Sequence, residues 1–154
     1  MFSRKPCVTV IPIRFVPITP SPTIEPSSQP TILLVEDEDG IRELSRRVLK
    51  PQGYHVLIAC DGVEALEICA AQPGKIDLVI TDVHMPRMSG FELVERLSVS
   101  HPSMRVLFTS GESLEQLIEE GPPPPGSRFL GKPFFVGELI AIVQELLQTK
   151  PAQV

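Results

Sequence analysis

The sequence predicts an α/β protein built on five parallel strands in one doubly wound sheet, with helices covering both faces. Two observations carry this expectation. After residue 30, short apolar runs of strand length recur five times, and each is followed by apolar residues at helical spacing. The strand runs are also apolar nearly throughout, as strands buried on both faces must be, instead of alternating with polar residues.

Thr31–Val35 (TILLV) is the first strand. Ile41, Leu44, Val48 and Leu49 then recur at helical spacing, Glu43 and Arg47 form an i,i+4 pair, and Pro51 and Gly53 end the helix. Tyr54–Ala59 (YHVLIA) is the second strand. Asp61 and Glu64, three residues apart, have the spacing of a capping box opening a helix that runs to Ala71 and stops at Pro73-Gly74. Ile76–Thr81 (IDLVIT) is the third strand. A loop with Met85-Pro86 leads to the third helix, marked by Phe91, Val94 and Leu97. Met104–Thr109 (MRVLFT) is the fourth strand, and Leu114, Leu117 and Ile118 give a short fourth helix. Beyond GPPPPG, Arg128–Leu130 is a brief fifth strand, and Leu139, Ile142, Val143, Leu146 and Leu147 form the apolar face of the last helix. Right-handed crossovers make the flavodoxin-like order the natural solution, with the ligand crevice at the carboxyl ends of the strands.

Composition bounds the rest. Seven prolines within residues 1–30 (the first Pro6, the last Pro30) favour extended, solvated chain. The expected organisation is a Pro-rich disordered tail or linker at 1–30, the domain at 31–150 and a C-terminal tail at 151–154. The net charge of -5 gives no basis for binding nucleic acid or an anionic membrane. Residues 1–30 hold Arg4, Lys5 and Arg14 against Glu25 alone, so the acidic excess belongs to the domain. Cys7, Cys60 and Cys69 are an odd set without CxxC spacing, which fits buried thiols in a reducing compartment better than disulfides or zinc. No run approaches the roughly 18 apolar residues of a membrane span, and a cytoplasmic protein is expected.

The strand ends concentrate the chemistry. The first strand ends in Glu36-Asp37-Glu38-Asp39, the third in Asp82, the fourth in Thr109-Ser110-Gly111, and the fifth in Gly131-Lys132-Pro133. The topology brings most of them to one rim. Crowded carboxylates repel one another and attract a hard cation, and a carboxylate can itself be a nucleophile that forms an aspartyl phosphate. A nearby ammonium and hydroxyl would neutralise and position the transferred phosphoryl oxygens.

TILLVEDEDGIRELSRRVL, LVITDVHMPRMSGFELVERL, VLFTSG and FLGKPF together resemble the signature segments of the response-regulator receiver family, in order, across about residues 31–148. The resemblance implies a receiver fold in which Asp82 is the phosphoacceptor and Glu36 and Asp37 are the acidic pair. It also implies that Glu36, Asp37, Asp82 and the backbone carbonyl of His84 form the Mg²⁺ site, with Asp37 the more direct ligand of the acidic pair and Mn²⁺ able to substitute. Ser110 is then the switch hydroxyl, Lys132 the phosphate-binding lysine and Phe129 the aromatic switch residue, and the Lys132–Pro133 bond is expected to be cis. The implied partners are a histidine kinase or phosphotransfer protein upstream. Downstream, a protein or a second copy of the chain would bind the face formed by helix 4, strand 5 and helix 5.

Three departures stand out. The switch hydroxyl is Ser where Thr is commoner, the aromatic is Phe where Tyr is commoner, and EEGPPPPGS is an unusual connection expected to border the output face. FTSG and FLGKPF are similar to receivers attached to hybrid histidine kinases, so both a stand-alone regulator and a module of a larger protein fit. Two rivals are a small haloacid-dehalogenase-like phosphatase, suggested by Asp37-Glu38-Asp39-Gly40, and a pseudo-receiver that only binds protein. Asp82 and its MPRMSG loop go unexplained by the first, and the acid pair, Asp82 and Lys132 argue against the second.

Overall fold

The structure, a computed structural model, describes residues 29–71 and 74–148. The tails expected at the two ends and the stop at Pro73 therefore lie outside the described residues. The elements are β1 (Thr31–Val35), α1 (Asp39–Leu49), β2 (His55–Ala59), α2 (Gly62–Ala71) and β3 (Leu78–Asp82). They continue with α3 (Gly90–Ser100), β4 (Arg105–Ser110), α4 (Leu114–Glu120), β5 (Arg128–Gly131) and α5 (Val136–Gln148). All strand pairs are parallel, in the order β2-β1-β3-β4-β5. This is the doubly wound, flavodoxin-like sheet that the alternation implies.

Period-two alternation sorts the strand residues between two cores. Leu33 and Val35 of β1, Val79 of β3 and Phe108 of β4 face one layer with Ala65, Leu93, Val94, Leu97 and Leu117 of α2, α3 and α4. Ile32, Leu34, Leu78, Ile80 and Leu107 face the other, with Leu49 of α1 and Leu139, Val143 and Leu146 of α5. Both sides of the sheet are dry, so the polar strand ends are left at its rim. A short 3-10 turn at Lys50–Gln52 closes α1, and Gly53 at φ 87° takes the left-handed conformation that a side chain would disfavour.

Several local readings need correction. Ile76 and Asp77 precede β3, although Asp77 continues the pairing: its N–H donates to the Thr31 carbonyl at 2.9 Å and its carboxylate accepts from the Thr31 N–H at 2.9 Å. Glu64 does not close a box on Asp61. Asp61 Oδ1 accepts from the amides of Val63 and Glu64, but Glu64 reaches back one residue further, to the Cys60 N–H at 2.6 Å. The expectation of buried thiols fails at Cys60, which is exposed beyond the end of edge strand β2, while Cys69 is half-buried. The helical spacing in α4 does not mark a buried stripe. Ser113 and Gln116 cap the helix reciprocally, yet only Leu117 is buried, and Leu114 and Ile118 are 46% and 53% exposed. Finally, Pro122–Pro125 face α3 as well as following α4. With Phe91, Glu92, Glu95 and Ser98 they line an open groove of about 680 Å³.

Candidate functional site

Parallel register aligns the carboxyl ends of the three central strands. Asp82 pairs with Thr109 across β3 and β4, and Ser110 pairs with Gly131 across β4 and β5. Glu36 follows β1 directly and donates its N–H to the Ala59 carbonyl of β2 at 3.2 Å. Lys132 follows β5 and donates its own N–H to the Ser110 carbonyl at 2.7 Å. The Lys132–Pro133 bond is cis. The chain therefore brings Glu36, Asp82, Ser110 and Lys132 to one rim through backbone pairing alone.

Lys132 is the hub of the side-chain network. Its Nζ donates to Asp82 Oδ2 at 2.6 Å and to Glu36 Oε2 and Oε1 at 2.8 and 3.1 Å. Burial pulls the Lys132 ammonium down, but hydrogen bonds and charge from Asp82 and Glu36 outweigh it and hold the group above its usual value. For Glu36 the balance goes the other way. Burial raises its carboxyl most, Lys132 lowers it, the Asp82 charge raises it again, and the net shift is upward. Glu36 is 3% exposed, whereas Asp37 is exposed and Asp82 lies between. Single carboxylate oxygens of Glu36, Asp37 and Asp82 lie within 4.8 Å of one another. Three hard oxygen donors at that spacing fit a small divalent cation.

The remaining expected residues sit around this cluster. The His84 N–H donates to Asp82 Oδ1 at 3.3 Å, and the His84 ring meets Glu112 at 3.1 Å, which links the loops after β3 and β4. Ser110 is buried and its Oγ accepts the Glu112 N–H at 3.0 Å. Phe129 does not touch the carboxylates. It stacks on Phe108 at 5.3 Å between centroids, and Phe108 meets Phe91 edge-on at 4.8 Å. The sequence carries no signal for Glu112, places Asp61 only as a helix cap, and assigns Arg87 of the MPRMSG loop no role. The acidic run also resolves: Asp39 starts α1, pairs with Arg42 on the helix surface, and is not among the carboxylates that cluster with Asp82. That removes the second acid on which a DxDG nucleophile reading depends.

A raised Glu36 has a consequence for pH. Its folded value lies above its unfolded one, so its contribution is complete below the unfolded value and is lost as pH rises through the folded value. Relative to Glu36→Gln, wild type is expected to lose stability as pH climbs from about 4 through the raised folded value. Urea midpoints of the two proteins across that range check it, and a constant difference would refute the assignment.

An open parallel sheet with an acidic pocket and a half-buried lysine at its carboxyl rim defines a class of phosphoryl-binding signalling domains. The model of the response regulator receiver domain matches residues 32–144, and the chain belongs to that family. It is 40% identical over 122 residues to the sensor kinase CckA of Brucella abortus, covering 79% of this chain but only 13% of that protein. It is 31% identical over 116 residues to the response regulator receiver protein CpdR of the same organism, covering 75% of this chain and 95% of CpdR. Among solved structures, the receiver domain of the hybrid histidine kinase CckA superposes with a TM-score of 0.66 at 38% identity, covering 77% of this chain and 99% of that domain. The chain is thus a receiver, a signalling domain, and the phosphatase reading is not favoured. No helix among the described residues is long and apolar enough to cross a membrane.

Proposed function

We propose that this receiver, spanning residues 31–150, takes a phosphoryl group from the phosphohistidine of a histidine kinase or phosphotransfer protein onto the carboxylate of Asp82. The observation that supports this most is Lys132 Nζ, 2.6 Å from Asp82 Oδ2 inside an all-oxygen acidic pocket. Asp82 attacks phosphorus as an ionised carboxylate. The new O–P bond forms as the donor's P–N bond breaks, and the imidazole leaves with the electron pair. Lys132 turns its ammonium to an oxygen of the arriving group, and the Ser110 hydroxyl donates to another. Asp37, Asp82 and the His84 carbonyl, beside Glu36, would hold Mg²⁺ or Mn²⁺ in its place, and the ion would supply charge that neutralises the phosphoryl oxygens.

Loading adds about 1.5–2 negative charges at one point of the rim. Ser110 and Lys132 are drawn towards them, and Phe129 packs into the space that Ser110 leaves. The face that changes contains α4, β5 and the start of α5, where Leu114, Ile118 and Phe135 are 46%, 53% and 81% exposed. A protein partner or a second copy of the chain docks there, and the shift needs only a few kcal/mol of differential affinity. The same reading places the chain in the cytoplasm.

Incubation with acetyl phosphate or a phosphohistidine donor, with and without Mg²⁺, tests the assignment by intact mass. Wild type is expected to gain one phosphoryl group only with the cation, and Asp82→Asn none. Equal labelling of the variant would overturn it.

A further inference from the structure

The acidic pocket is not the only charged feature tied to the Asp82 loop. Between Asp82 and Gly90 the chain makes a turn whose first end is pinned to β4 and whose second end closes on the first: the Val83 N–H donates to the Thr109 carbonyl at 3.0 Å, and the Gly90 N–H donates to the Val83 carbonyl at 2.8 Å. A side chain on Gly90 would collide with the Asp82 carbonyl oxygen, so the start of α3 lies directly against the Asp82 backbone. The middle of the turn is pinned from elsewhere. Arg87 has φ 69°, the one non-glycine positive φ among the described residues, and its guanidinium pairs with Asp61 at the start of α2. A non-glycine residue holds that conformation only where its surroundings fix it.

Asp61 is built to be that fixed point. It is 4% exposed, and Oδ1 accepts the Val63 and Glu64 amides at 2.8 and 3.0 Å while Oδ2 takes Arg87. The amides of the first turn of α2 and the positive end of the helix dipole hold the carboxylate in place. Beside it the contact is steric. A Cβ on Gly62 would lie 2.8 Å from Met88 Sδ, so the backbone of α2 and the residue after Arg87 already touch.

We propose that Arg87 and Asp61 form a positioning latch, through which the N-terminus of α2 holds the Asp82–His84 turn in the shape that binds the divalent cation. The proposal rests on the reading of Asp82 and the His84 carbonyl as cation ligands. Neither latch residue touches the cation or the phosphoryl group. Arg87 lies three residues beyond His84, whose N–H meets Asp82 Oδ1 at 3.3 Å. With the middle of the turn released, Val83 stays bonded to Thr109 and Gly90 to Val83, but the backbone between His84 and Met88 loses the restraint that Arg87 places on it. The cost falls on cation affinity and not on the fold.

Arg87→Gly separates these two. Glycine adopts the left-handed conformation freely, so the variant loses the latch while its backbone relaxes. The thermal midpoint is expected to stay level or rise. The Mn²⁺ dissociation constant, followed by electron paramagnetic resonance, is expected to increase about tenfold, the lower end of what residues behind metal ligands contribute. Amides of Val83–Gly90 are expected to exchange faster in metal-free protein. Arg87→Lys restores most of the affinity, and Asp61→Asn, which keeps an oxygen for the α2 amides, matches Arg87→Gly. The double variant is no worse than either single one. Should Arg87→Gly fail to fold, Asp61→Asn carries the same comparison. Arg87→Gly with wild-type Mn²⁺ affinity and unchanged exchange overturns the latch. Wild type that binds no Mn²⁺ and accepts no phosphoryl group overturns the functional reading instead, and the metal-free exchange still decides the latch.

Discussion

Lys132→Ala is expected to slow phosphoryl transfer to Asp82 by about 10²-fold or more, the scale seen when a preorganised charge-stabilising donor is removed. The residue makes three hydrogen bonds to two carboxylates, and its loss leaves Glu36 and Asp82 facing each other without the ammonium between them. Their mutual repulsion then raises the carboxyl of Glu36 further, and cation binding becomes the main remaining way to relieve it. Mg²⁺ affinity is therefore expected to hold or increase while transfer falls. Time courses with acetyl phosphate, read beside a Mg²⁺ titration, separate the two effects. A variant that labels at the wild-type rate would show that the ammonium is structural.

Phe108→Ala is expected to lower the stability of the domain by roughly 3–5 kcal/mol, the usual range for emptying a fully buried aromatic site. Phe108 is completely buried on β4, with Phe91 of α3 edge-on at one side and Phe129 of β5 stacked on the other. No neighbour can fill the space without giving up one of those contacts. The urea midpoint measures the loss, and a shift equivalent to less than about 1 kcal/mol would mean that the layer collapses around the cavity.

The fold was legible because two periods alternate cleanly. TILLV, IDLVIT and MRVLFT are too short for helices and too uniformly apolar for a sheet with a wet face, and that decides a parallel sheet before any motif is read. The rim residues were legible for a related reason: Glu36, Asp82, Ser110 and Lys132 each stand at the end of an apolar run, where backbone pairing fixes their position. What stayed hidden depends on contacts between loops. Leu114 and Ile118 have core spacing, but a seven-residue helix docks through Leu117 alone. Arg87 and Asp61 are ordinary charged residues 26 positions apart, and only the packing of α2 against the β3–α3 loop makes them partners. The proline segment could be placed after α4 by order, whereas its groove with α3 needs three dimensions.

The three phenylalanines in contact also make a clock. A Phe ring wedged between two others can turn over about its axis only when both neighbours move aside together. Ring rotation of Phe108 therefore times the breathing of the layer between β5 and α3, and its NMR line shape at graded temperatures reads that rate without any added probe. If Phe129 swings when Asp82 is loaded, one face of Phe108 is unclamped, and the ring of a residue that never meets the phosphoryl group turns faster.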